Sequence, residues 1–226
     1  MNLAGAVAGV VLAIATQNIR VGLPPPDVRH DLNQAAARSS VVFTQEMGYR
    51  DAAAFRPSGW GSDHVHGRTR GDCATYWDRS RWHLVRWHLV HTFTGTYRGG
   101  NRWAQVTILK GTGGVLAAVC VHNVTHARLH PAVEREGVSR LRQTLSSLST
   151  RYANVVVGGD WNRGWGIRPR FKGFTTVRPD QPTHKSGATI DYLYWHHPPV
   201  RFMSVRVLRP TFSDHRGVRY RLRLGG

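Results

Sequence analysis

The sequence predicts an α+β fold in which mixed β-sheets pack face to face and helices cover them from outside. Two observations carry this expectation. Runs rich in apolar and β-branched residues follow one another along most of the chain, and only two stretches show helical character, one after the first run and one mid-chain. No linker of distinct composition interrupts the 226 residues, so residues 1–226 read as one domain.

The first strand is expected over residues 10–19, which run from Val10 into Thr16-Gln17-Asn18-Ile19. The small apolar stretch 3–15 leaves a targeting segment or anchor open as an alternative. It has no charged leading region and falls short of the roughly 20 residues a spanning helix needs, so no stable membrane insertion is expected. Pro24-Pro25-Pro26 breaks the strand, and 27–39, with Ala35-Ala36-Ala37 in its body, reads as a helix. Val41-Val42-Phe43 is the next buried strand. Residues 50–70, rich in Gly, Ser, His and Pro, show no period and read as a long surface loop.

Strands follow at 74–77, 82–93, 102–109 and 115–121. Lys110-Gly111-Thr112-Gly113-Gly114 lacks the Gly-Lys-Ser/Thr ending of a phosphate-binding loop and reads as a hairpin turn. Arg81-Trp82-His83-Leu84-Val85 repeats as Arg86-Trp87-His88-Leu89-Val90, an odd period that would put equivalent side chains on opposite faces of a regular strand. After Pro131, the spacing of Val138, Leu141, Leu145, Leu148 and Tyr152 predicts an amphipathic helix. Strands are expected again at 154–157, 189–194, 202–208 and 219–224.

With 31 Lys and Arg against 13 Asp and Glu, the formal net charge is +18, which favours polyanions: nucleic acid first, anionic membrane surfaces second. Eight tryptophans and 41% hydrophobic residues exclude a disordered chain. Cys73 and Cys120 are too few for a disulfide framework and are not spaced as zinc ligands, so both read as reduced residues. The compartment stays open, with cytoplasmic favoured over secreted. Asn123-Val124-Thr125 matches a glycosylation sequon that matters only if the chain is secreted.

Apolar runs end in Gln17-Asn18, Gln45-Glu46, Gly159-Asp160-Trp161-Asn162 and Ser213-Asp214-His215, polar groups suited to phosphoryl transfer. Asp191 sits inside Ile190-Asp191-Tyr192-Leu193, where a buried carboxylate needs a partner such as a histidine or a metal. In order and spacing this series resembles the endonuclease/exonuclease/phosphatase superfamily, with its DNase I-like four-layer sandwich. The resemblance spans Asn18 to His215 and adds a strand-ending histidine, matched by His122 in Val119-Cys120-Val121-His122, with His126 as the alternative. Trp161 stands where members commonly have Phe, Gly217 where they have Pro, and Gly48 where nucleases often have Arg, with Arg50 nearest.

The resemblance implies a divalent-metal-dependent phosphodiesterase, most naturally a nuclease using Mg²⁺, with Mn²⁺ able to substitute. Glu46, Asn18 and Asp214 would serve the metal, which prefers oxygen ligands and keeps several waters. His215, oriented by Asp191, would act in acid/base catalysis; Asp160 and Asn162 would bond the attacking water or the phosphate; His122 would donate to a phosphate oxygen. Arg163, Trp165, Arg168 and Arg170 interleave cations and aromatics as substrate contacts, or form a basic loop whose aromatics enter the core. His64, His66 and His184 could be metal ligands, although Asp63-His64-Val65-His66 in a loop reads more simply as surface. The expected partner is nucleic acid, DNA ahead of RNA, with the protein a monomer. Competing readings are a phosphatase or lipid phosphodiesterase of the same superfamily, and a nucleic-acid-binding module with a decayed site.

Overall fold

The computed structural model of the protein describes residues 9–64, 72–96, 100–124, 131–209 and 211–225. The first sheet contains β1 (Val11–Asn18), β2 (Val41–Gln45), β3 (Trp60–Asp63), β4 (Cys73–Asp78), β11 (Arg201–Val207) and β12 (Val218–Arg223), in the order β11-β12-β1-β2-β4-β3. The second contains β5 (Trp82–Thr96), β6 (Gly100–Gly111), β7 (Gly114–His122), β8 (Asn154–Asp160), β9 (Phe174–Thr175) and β10 (Asp191–His196), in the order β5-β6-β7-β8-β10-β9. Helices α1 (Pro25–Ala36) and α2 (Pro131–Arg151) pack on the outer faces of the first and second sheet respectively.

Three apolar layers hold these parts together. Leu12, Ile14, Phe43, Leu116, Trp195, Tyr220 and Leu222 fill the space between the sheets. Val28, Leu32 and Ala35 of α1 meet Ala15, Val42 and Tyr76, whereas Leu141, Leu145 and Leu148 of α2 meet Val106, Ile108, Val155 and Val157. Alternate residues of one strand therefore serve two layers, which is why the central strands read as continuous apolar runs. Each large side chain so buried contributes roughly 1.5–3 kcal/mol before chain entropy is counted. Gly137 lets α2 approach β5 closely: a Cβ there would meet the Phe93 ring at 2.1 Å.

The expected elements are present, with adjusted limits. β1 confirms the strand reading of residues 11–15; residues 3–8 lie outside the described residues. α1 starts two residues early, because a proline at the first helical positions gives up no hydrogen bond, and it ends at Ala36 rather than Ser39, whose amide and hydroxyl turn back onto the Ala36 and Ala35 carbonyls. The stretch expected as loop contains a 3₁₀ turn (Ala52–Phe55) and β3, while 65–70 lie outside the described residues.

The pentapeptide repeat also behaves differently from a regular strand. The register of β5 on β6 skips Val85, pairing Trp82 with Gly111 and Trp87 with Thr107. That bulge adds one residue, so both tryptophans face the same way.

Candidate active site

Strand polarity gathers the polar strand ends at one edge. β1 and β2 run parallel and finish together at Asn18 and Gln45; β7 and β8 do the same at His122 and Asp160. Antiparallel β10 begins there, with Asp191 opposite Asp160, and His215 precedes β12, whose Val218 pairs with Thr16. Gln17 fixes the last segment by donating from Nε2 to the carbonyls of His215 (3.2 Å) and Asn18 (2.8 Å). Glu46 and Asn162 follow their strands with φ of 62° and 49°, left-handed conformations that turn the chain at the site.

Asp160 Oδ2 is the hub. It lies 3.5 Å from His122 Nε2 and 3.8 Å from His215 Nε2, and it accepts from Asn18 Nδ2 at 3.1 Å and Asn162 Nδ2 at 3.3 Å. Its other oxygen accepts the Asn162 backbone N–H at 2.8 Å. Each histidine has its own acid behind it: His215 Nδ1 faces both Asp191 oxygens at 2.9 and 3.1 Å, and His122 Nδ1 faces Asp72 Oδ2 at 2.6 Å. Asp72 also accepts from Arg102. Asn18 Nδ2 reaches Glu46 Oε1 at 3.0 Å, and the other Glu46 oxygen accepts the Val21 N–H at 2.7 Å.

Burial and charge set the protonation states. Burial pulls the His122 imidazolium down, but Asp72 outweighs it, with Asp160 helping, and raises the group to about 10. Burial likewise opposes the charged form of His215, and Asp191 with Asp160 and Asp214 pushes it up to about 9. Asp160 is held low despite burial, because His122 and His215 favour its anion. Burial drives Asp191 up and His215 restrains it, leaving it near 6. At neutral pH the centre therefore holds two imidazoliums around an ionised Asp160.

The residues expected at the site are thus largely together: Asn18, Glu46, His122, Asp160, Asn162, Asp191 and His215. His126 lies outside the described residues, and His122 occupies the place anticipated for the strand-ending histidine. The amide nitrogen of Asn162 is committed to Asp160 and to the Asn123 carbonyl (3.0 Å), so this side chain props Asp160. Asp214 lies beside His215, near Lys185 (3.5 Å), His184 (3.9 Å) and Arg20 (4.0 Å). The basic loop divides its residues: Arg163 is paired with Glu134, Phe171 enters the core, Trp165 packs on Tyr192, Arg168 lies 4.2 Å over Trp165, and Arg170 is exposed.

Sequence reasoning missed two of the residues at the site, Asp72 and Asp31, and left a third, His184, without a place in it. Asp72 precedes β4, which starts opposite Gln45; an acid at a strand start paired with a site-bearing strand end was the available signal. His184, expected only as one of three histidines able to bind a metal, meets the His215 ring edge-on with centroids 4.7 Å apart and groups with Asp214 and His215. Asp31 on α1 is fully buried and accepts the Phe212 and Ser213 N–H groups, each at 3.0 Å, which pins the Ser213-Asp214-His215 turn; one acid in a helix carries no pattern that reveals this.

Two groups among the described residues could hold a metal ion, Asp160 with Asp191 and His215, and His184 with Asp214 and His215. The donor set at Glu46 also fits a hard cation. Its carboxylate has no Lys, Arg or His nitrogen at ion-pair distance among the described residues, yet it is linked through Asn18 to a second carboxylate.

No helix among the described residues is long and apolar enough to cross a membrane. No curated protein sequence matches the chain. Solved structures do. An endonuclease/exonuclease/phosphatase family protein from Bacteroides thetaiotaomicron aligns with TM-score 0.76 and 16% identity, covering 96% of this chain and 99% of that one. TDP2 from D. rerio, complexed with single strand DNA product, gives 0.72 and 16% over 94% and 98%. The human Nocturnin catalytic domain with bound sulfate gives 0.69 and 15% over 95% and 94%. The two packed six-stranded sheets are therefore a DNase I-like sandwich. A model of the Endonuclease/Exonuclease/phosphatase family matches residues 15–215, and the chain belongs to that family.

Proposed function

We propose that the protein is a divalent-metal-dependent phosphodiesterase that hydrolyses nucleic acid, DNA in preference to RNA. One observation carries this reading: Asp160 Oδ2 stands between the Nε2 atoms of two histidines, each held from behind by its own carboxylate, with Glu46 alongside.

Phosphodiester hydrolysis must neutralise an anion, orient water and protonate a poor leaving group. Glu46 and Asn18, with Asp214 or Asp160 completing the set, would hold Mg²⁺ or Mn²⁺, which supplies Lewis-acid stabilisation of the phosphate. The imidazolium of His122 donates to a non-bridging phosphate oxygen. Asp160 takes the proton that the water gives up as it adds to phosphorus, and Asn162 keeps its carboxylate in place. As the bond to the leaving oxygen breaks, His215 supplies the proton, and Asp191 stabilises the charged ring beforehand and fixes its orientation. Arg168 and Arg170 are the cations of the basic loop left to meet substrate phosphates, with Trp165 stiffening the loop beneath Arg168.

The +18 net charge suits nucleic acid and inositol phosphates alike, and DNA is favoured by the likeness to a structure complexed with single strand DNA product. The test is incubation of pure protein with plasmid, single-stranded DNA, RNA and a soluble inositol phosphate, each with Mg²⁺ or EDTA. Metal-dependent cleavage of DNA is expected. Release of phosphate from the inositol compound alone, or cleavage unaffected by EDTA, would overturn the reading.

A further inference from the structure

Outside the active site, the strongest unexplained feature is a row of arginines on the first sheet. Val218, Tyr220 and Leu222 of β12 face the inter-sheet layer, so Arg219, Arg221 and Arg223 face outward. α1 covers β1 and β2 on that side. Beyond it, β11 sets Arg206 directly opposite Arg219 and Arg201 directly opposite Arg223. Like charges in direct cross-strand register destabilise a sheet, so two such pairs on one face, with Arg221 between them, need a reason other than folding.

Among the described residues, none of these five guanidiniums lies within ion-pair distance of a carboxylate. Where the row meets the end of α1 it opens into a groove of about 770 Å³, lined by Arg38, Arg206, Arg209, Arg216 and Arg219, with Asp180 as its one carboxylate. Burial and the neighbouring Arg206, Arg38 and Arg221 depress Arg219, a sign of cations gathered without counter-charge.

The row is continuous with the active site. Arg216 follows His215, and its amide is anchored to the Thr183 carbonyl at 2.6 Å, beside the turn that carries His184. From there β12 leads away from the catalytic edge. Same-face residues on a strand are about 6.6 Å apart, so Arg219 to Arg223 extends the row by about 13 Å. A duplex carries one phosphate charge per roughly 1.7 Å of axis, so this length meets several phosphates of one polymer, where a single small anion would occupy only a fraction of it.

We propose that the outer face of β11 and β12 is a second binding surface, which holds the phosphate backbone of the nucleic acid flanking the scissile bond. The proposal rests on the reading of the substrate as nucleic acid. It adds a surface on the first sheet that is separate from the basic loop following β8. Its contacts are to phosphate, so it adds affinity without sequence preference and gives the enzyme a reason to favour long substrates.

The test is the triple variant Arg206→Gln, Arg219→Gln and Arg221→Gln. Binding to a labelled DNA duplex several turns long is followed by fluorescence anisotropy in EDTA across a range of salt concentrations, so that no cleavage is needed. The variant is expected to bind about tenfold or more weakly, with the slope of log affinity against log salt reduced by about 3. Metal-dependent hydrolysis of bis(p-nitrophenyl) phosphate should match the parent, which also shows that the fold is intact. Unchanged duplex affinity and slope would overturn the proposal. So would a variant that loses binding to phosphatidylserine vesicles while keeping its DNA affinity, since the surface would then serve a membrane. If the parent hydrolyses no phosphodiester but the variant still loses duplex binding, the active-site reading fails and the binding surface stands.

Discussion

Asp72 Oδ2 lies 2.6 Å from His122 Nδ1, so the site contains a second buried acid–imidazole pair beside Asp191 and His215. Asp72→Asn should reduce kcat by about a hundredfold, within the range removed with one acid/base or anion-stabilising group. The folded-state pKa of His122 is raised to about 10 from 6.5. Its stabilising contribution is therefore complete below pH 6.5 and disappears as pH rises through 10. The variant should lose that pH dependence between 7 and 10 in chemical denaturation. A titration of His122 by NMR that stays near 10 in the variant would contradict the pairing.

Glu46 offers a direct test of the metal assignment. Glu46→Gln keeps the shape of the side chain and removes the charge, so apparent Mg²⁺ affinity and activity should fall together, and added Mg²⁺ should recover part of the loss. Unchanged metal dependence would remove Glu46 from the ligand set.

Away from the site, Asp63 accepts hydrogen bonds from the Thr107 hydroxyl at 2.7 Å and the Thr75 amide at 3.3 Å, and burial raises it to about 7 despite them. A raised carboxyl favours folding fully below its unfolded pKa near 3.8 and loses that contribution as pH climbs through 7. Melting temperature should therefore fall by several degrees between pH 5 and pH 8. Asp63→Asn should flatten the profile and melt higher than the parent at pH 8. A flat profile in the parent would show that Asp63 is ionised without cost.

Sequence patterning located most of the strands because apolar burial along a strand is a local property. Apolar runs such as 115–121 and 154–157 had to be strands, and their polar last residues had to reach a common edge once the sheets packed. What stayed hidden depended on contacts across the chain. Asp72 acquires its meaning from His122, 50 positions away, and Asp31 from the Phe212 and Ser213 amides, 181 and 182 positions away. His184 sits in a polar stretch whose pairing with His215 only the fold creates. The Trp82 and Trp87 repeat was misread for a different reason: an alternation rule assumes regular pleating, and the bulge at Val85 resets it.

In the proposed reaction Asp191 and His215, 24 positions apart in sequence and bonded at 2.9 Å, work as one catalytic unit on phosphodiester bonds. A double-mutant cycle on metal-dependent DNA cleavage tests it most directly. His215→Ala and Asp191→Asn should each cost several orders of magnitude in rate, and the double variant should cost little more than the worse single one, with circular dichroism showing all three folded. Strictly additive losses among folded variants would show that the two residues act independently and would contradict the account.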